Sequence, residues 1–565
     1  MRERLGPVLG LACLALLVTG CVSIPDSGSV TTRTAEAHAQ HPQGYIHAFA
    51  PLARPGLTAA QVVQGFLLAQ VDPDHTAALS YLTDEEASRW NPDARVVVLG
   101  NDNPPRVAAA GGGEYRFSAP QAGVISGQGD YTATPRAQAQ GSVTVRRVGS
   151  EWRISEAPDG LYLSPDDFAR NYAVYDTYFI DPASQRLVPN PVYIPVSATA
   201  STSLVEALLD GPSAWLSPAV RTAFPPGTRL ALPSAPVRLG VVQVDLTTQV
   251  LLASPADRRL LGAQLAWTLG QLDGVKGVRV SVGGVPLPEL EGQVDRGAYS
   301  SLDPAGGTIG PAVAVVSGRV TTLGKSPVPV PGAMGDPSTP LVDPAVSLDG
   351  SRVAALNPAA TRLFVADARA GSPMRVAISG QSLTAPSFDP SGEVWTAGTT
   401  PAGPVVWVVS GDTVRQVETP GLGRRQVRAL RIARDGVRVA VVLEHGGRGA
   451  LYLGRIVRTG TDVRLDGLHR IESSLLDVAD VAWAGADSIL ALSADTLQPY
   501  LVQPFGVVVP TGAPLRGATN VTAAPQQPVL ASTSNGRIYT TDSTDTWLAL
   551  RGVRPGTGRD PSYPG

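Results

Sequence analysis

The chain has 565 residues, room for about four domains at roughly 150 residues each, and its 45 lysines and arginines nearly cancel 48 aspartates and glutamates. A net charge of −3 excludes a nucleic-acid binder that works through a basic surface. Glycine (60) and proline (50) punctuate the whole length rather than one tract, which favours short strands and turns over a disordered polymer.

Arg2 and Arg4 precede an apolar run from Leu5 to Val18. That order fits a secretory signal and the run is short for a membrane span. It ends in Val18-Thr19-Gly20-Cys21, which resembles the lipobox of bacterial lipoproteins. The resemblance implies a signal peptide over residues 1–20 and S-diacylglyceryl and N-acyl groups on Cys21. An ordinary signal peptide with an incidental cysteine is the alternative. Cys13 lies inside the run, so Cys21 is the one cysteine left after cleavage, and a mature disulfide or thiolate metal cluster is excluded. Two or three fatty chains give durable anchoring where one does not. No later stretch reaches 18 apolar residues, so the remainder is expected at the extracytoplasmic face of the cell membrane.

Residues 21–45, rich in Ser, Thr, Ala, Gln and His, are predicted to be a flexible tether with a reach of roughly 25–30 Å. Residues 46–168 read as an α+β domain. Thr58 is the expected N-cap of a helix whose Val62, Val63, Phe66 and Leu67 share a face, and a second helical piece is predicted from Asp74 to Trp90. Strands follow at Ala94 to Leu99, Tyr115 to Ser118, Gly141 to Val148 and Trp152 to Ser155. This order resembles the NTF2-like folds, with an unnamed α+β domain as the alternative.

Residues 170–295 read as an α/β unit. Strands are predicted at Tyr172 to Ile180, Leu187 to Val196, Val241 to Leu246 and Val278 to Val282, with helices at Ser203 to Leu209 and after Ser254. The string from Leu204 to Pro212, then Ala223-Phe224-Pro225-Pro226-Gly227-Thr228, Val244-Asp245-Leu246 and Leu269-Gly270-Gln271-Leu272, resembles the GerMN domain. That resemblance implies an interaction module of the cell envelope without a known catalytic centre.

Residues 310–552 read as an all-β, propeller-like domain. Ser347-Leu348-Asp349-Gly350, Phe388-Asp389-Pro390-Ser391-Gly392 and Ala433-Arg434-Asp435-Gly436 are each a turn followed by an apolar strand. Weaker echoes end at Leu490-Ala491 and Leu530-Ala531, and the spacing of about 40–50 residues matches four-stranded blades. Blade number stays open between five and seven, Ala312 to Val320 is available as a closing strand, and a β-sandwich is the alternative. Residues 553–565 are expected to be a disordered tail.

Signals of catalysis are lacking. No serine sits in a Gly-x-Ser-x-Gly elbow, and the six histidines, His38, His41, His47, His75, His445 and His469, form no metalloprotease motif. Gly318 to Ser326 has one residue too many for a phosphate loop, and the pairs Glu85-Glu86 and Asp166-Asp167 fit solvated helix faces. A non-enzymatic protein without metal or cofactor is expected.

The order of lipobox, α+β, GerMN-like and propeller-like units resembles the actinobacterial LpqB lipoprotein family. Ser23-Ile24-Pro25-Asp26-Ser27 and the stretch from Trp152-Arg153-Ile154 to Pro165-Asp166-Asp167-Phe168 fit it too. The family implies a lipid-anchored partner of the extracytoplasmic domain of a sensor histidine kinase, MtrB-like, in an MtrAB-type two-component system governing cell-wall homeostasis and division. An envelope scaffold that binds peptidoglycan, and a propeller hydrolase, are the alternatives; the contacting residues are not identified.

Overall fold

The computed structural model describes residues 50–134, 137–471, 475, 477–503, 508–542 and 544–565. The predicted signal peptide, the tether, Cys21, His38, His41 and His47 lie outside them.

Thr58 caps the helix Ala59–Ala69 through a capping box: its hydroxyl accepts from the Gln61 N–H and the Gln61 carboxamide accepts from the Thr58 N–H. Val62, Val63, Phe66 and Leu67 are buried on one face. The helix expected from Asp74 to Trp90 is two short ones, Thr76–Leu79 and Asp84–Arg89. Between them the backbone of Tyr81 and Thr83 bonds Ile154 in the neighbouring sheet, and Thr83 starts a new helix by accepting from the Glu86 N–H. The sheet runs Glu151–Glu156, Gln138–Val148, Glu114–Ser126, Arg95–Leu99, Leu161–Leu163, with only the last pair parallel. Two strands missing from the sequence reading, Arg106–Gly111 and Tyr131–Ala133, pair with the long Glu114–Ser126.

In the second domain the hairpin Tyr172–Ile180 and Leu187–Pro195 packs with helices Ala200–Asp210 and Pro255–Leu269. Ser254 caps the latter by accepting from the Asp257 N–H. Val241–Leu246 and Gly277–Val282 pair in parallel, flanked by short edges at Val237–Arg238 and Val285–Pro286. Leu204, Leu208, Val244, Leu261, Leu265, Leu269 and Val280 fill the shared core.

Among the described residues, the stretch 313–562 forms six four-stranded antiparallel sheets, the blades of a β-propeller. Five are simple meanders with the earliest strand paired at one edge of the order, as in Val342–Val346, Arg352–Leu356, Arg362–Asp367, Arg375–Ser379. The remaining blade is assembled from both ends of the domain: Gly558–Ser562 is its innermost strand, paired with Val313–Val316, then Arg319–Thr322 and Val328–Pro329. The expected tail over 553–565 is therefore corrected: it carries the strand that closes the ring, and Tyr563 is buried. Its composition looks tail-like because a strand beside the propeller axis needs few apolar residues, and Pro561, which lacks an N–H, sits where the pairing register shifts. Val313–Val316 takes part in closure as the second strand of that blade.

Candidate functional site

The second domain rests on the propeller at turns between first and second strands of the blades and on the outermost strand Asp462–Arg470. Val437 is buried in the core of the second domain, and Asp181 lies beside Gly436. Trp215 donates from Nε1 to the Gly467 carbonyl at 2.8 Å and meets His469 edge-on at 5.2 Å, while Arg186 donates to the carbonyl of Asp303, in the stretch leading into the propeller, at 3.0 Å. At this seam Asp176 is 7% exposed. Burial, reinforced by Asp487 of the propeller, pushes its carboxyl up to about 8, against the pull of Arg438 and Arg296 and hydrogen bonding from Tyr178. Its Oδ1, the Trp267 Nε1 and the Arg296 Nε are buried without a hydrogen-bond partner. Arg296 stacks over Trp267 at 5.2 Å.

Along the propeller axis, the innermost strands line a small cavity of about 20 Å³ with Asp343, Arg431, Asn520, Thr522 and Asp560. Arg431 Nη2 donates to Asp480 Oδ1 at 3.2 Å, and Asp480 Oδ2 accepts from the Val521 N–H at 3.2 Å. Asp560 Oδ2 accepts from the Asp343 N–H at 3.2 Å. Burial pushes the Asp343 carboxyl up to about 7, with Asp560 adding repulsion and Arg431 opposing it; burial also raises Asp560. Asp343 and Asp560 both hold φ near +50° and both precede a proline. Such backbone costs of order 1–3 kcal/mol and concentrates where side-chain placement matters.

One end of the axis is closed by Arg434, which is 7% exposed. Its guanidinium donates to the carbonyls of Pro564 (2.9 Å), Trp483 (3.1 Å) and Ala523 (3.5 Å), tying three blades to the closing strand's end. Burial draws it down to about 10, which leaves it a cation at neutral pH. This end faces the second domain.

The sequence reading named Cys21 as its one site, and that residue lies outside the described ones. His75, His445 and His469 stand apart: His75 against Trp90, His445 exposed in a hairpin, His469 against Trp215. Among the described residues no group of three or more His, Cys, Asp or Glu is arranged to hold a metal. The axial residues were missed. Their one signal is the repeated Asp-Pro of 343–344 and 560–561, diluted by five further pairs at 72–73, 181–182, 303–304, 336–337 and 389–390. No helix among the described residues is long and apolar enough to cross a membrane.

Three family descriptions match consecutive parts of the chain: "Lipoprotein LpqB, N-terminal domain" over 53–169, "Sporulation and spore germination" over 176–288, and "Lipoprotein LpqB beta-propeller domain" over 318–564. Lipoprotein LpqB of Thermobifida fusca is 31% identical, covering 100% of this chain and 99% of its own. Lipoprotein LpqB of Mycobacterium tuberculosis is 27% identical with both chains covered at 100%. Among solved structures, TolB from Acinetobacter baumannii aligns with 45% of this chain and 66% of its own at 17% identity, TM-score 0.34.

Proposed function

Because the chain belongs to the LpqB lipoprotein family, we propose that it is anchored through Cys21 to the outer leaflet of the cytoplasmic membrane and modulates a sensor histidine kinase of the MtrAB type by contact. The observation that carries this reading is the family membership across the whole chain, joined to a body whose second and third domains are held together at a common seam. A partner tethered beside a receptor needs little intrinsic affinity, because anchoring raises its local concentration toward the millimolar range for short links. If it binds one signalling state better than the other, it shifts the kinase equilibrium by that difference in affinity.

Two measurements test the proposal. Detergent-solubilised full-length protein is expected to capture the extracytoplasmic domain of the sensor; failure to do so, with sedimentation on purified peptidoglycan instead, replaces it by the envelope-scaffold reading. Cys21→Ala is expected to abolish acyl labelling and leave the protein as an unprocessed precursor or free of the membrane fraction. Unchanged labelling of that variant rejects the anchoring site.

A further inference from the structure

In an up-and-down blade, the turns between strands one and two and between three and four lie on one face of the ring. The turn between strands two and three and the links from blade to blade lie on the other. The second domain covers the former, at Gly436, Val437 and Asp487. Among the described residues the other face stays open, with the turn residues Ser317, Gly446, Gly447 and Asn535 exposed.

On this open face the third strand begins with an arginine in four of the six blades: Arg319, Arg362, Arg448 and Arg537. The interblade links add Arg424, Arg516, Arg551 and Arg554. All are exposed, and among the described residues none makes a side-chain hydrogen bond or an ion pair. The covered face is the reverse: Arg375, Arg415, Arg438 and Arg458 are each bound to an aspartate or glutamate. Acids of the open face are partly spoken for, since Arg428 holds Glu444 and Asp477, and Asp336 caps the Ser338 N–H near Arg319. Arg424, Arg425 and the hairpin at His445 to Gly447 frame a shallow groove at the rim. Inside the ring of arginines, the axial cavity presents Asp343 and Asp560, and it leads toward this face because Arg434 closes the other end.

We propose that this arginine crown is the docking surface for the acidic face of a folded protein; resting on the function proposed above, that protein is the sensor's extracytoplasmic domain. Unpaired cations spread over one face steer an oppositely charged partner and fix its orientation. A sheet of anionic lipid fits less well. The exposed large apolar side chains of the propeller, Val328, Val376, Val414, Val509 and Leu548, belong to the outermost strands, so this face has none to sink below headgroups.

The test is surface plasmon resonance of full-length protein in detergent over the immobilised sensor domain, at low and high salt. Wild-type binding is expected to weaken as salt rises. Arg362→Glu with Arg448→Glu is expected to weaken it about tenfold or more, chiefly in the association rate, while Lys276→Glu, at an exposed position of the second domain, leaves it unchanged. Should the double variant melt below wild type, Arg551→Glu with Arg554→Glu takes its place. Wild-type binding that charge reversal leaves intact overturns the docking surface and spares the proposed function. No wild-type binding overturns both. Reversal that abolishes adhesion to phosphatidylglycerol vesicles while sensor binding persists assigns the crown to lipid and overturns the proposal.

Discussion

Asp176 carries a carboxyl into the seam between two domains, where its ordinary ionisation at 3.8 is pushed up to about 8. The folded chain keeps a proton there that the unfolded chain gives up. Stability from this site is therefore fully present below about pH 4 and is lost as pH rises toward 8. Asp176→Asn keeps the shape and cannot ionise, so wild type is expected to lose more melting temperature than the variant between pH 5 and pH 8. Scanning calorimetry of both proteins at the two pH values checks this, and equal losses would show that Asp176 does not titrate across the window. Nothing in the sequence singled out this residue. Its partners Asp487 and Arg438 come from a part of the chain far beyond the strand Tyr172–Ile180 that holds it, and burial of a lone aspartate leaves no periodic trace.

Elements were more legible where a local rule decided them. Val241–Leu246 lies where alternation places it, with burial switching residue by residue, and Thr58 and Ser254 cap the helices they were expected to cap. The turns at Asp349-Gly350 and Asp435-Gly436 hold glycine at φ of 72° and 84°, the left-handed backbone that makes such a dipeptide a turn signal. Arg106–Gly111 was lost because almost all of it is exposed, and Gly558–Ser562 because its face toward the axis is polar. The latter strand also carries a prediction. Ending the chain at Thr557 removes the innermost strand of a blade and the Pro564 carbonyl that receives Arg434. A buried cation stripped of an acceptor costs on the order of 1–3 kcal/mol, before the lost strand pairing is counted. The truncated protein is expected to be cut by protease within residues 313–557 under conditions that leave the intact chain whole, as gel analysis of a timed digest shows.

Across the whole molecule, the domains are joined by contacts that sequence order cannot reveal. Trp215 and Gly467, hydrogen-bonded across the seam, are 252 positions apart. The first and second domains meet through Tyr193, whose N–H donates to the Gly129 carbonyl at 2.9 Å and whose ring lies 5.6 Å from Tyr131 and 5.1 Å from Phe168. Gly467 holds φ of +63°, and a Cβ there would stand 2.8 Å from Trp215 Nε1. Gly467→Val is expected to expel Trp215 and loosen the second domain from the propeller, which small-angle X-ray scattering would register as a larger radius of gyration at unchanged mass. An unaltered scattering curve would locate the strength of the seam at Val437 and Asp176 instead.

Threading the first blade's innermost strand from the far end of the domain has a temporal consequence. Exported from its amino end, as the proposed anchoring requires, the chain would deliver Val313–Val316 early and Gly558–Ser562 after every other propeller strand. Until then the early strand shows a bare edge, open to pairing with a neighbouring nascent chain. Under the proposed export, translocation rather than collapse of any blade sets the moment at which the ring is sewn shut, and a stalled secretion intermediate is then the species most exposed to aggregation and to quality-control proteases.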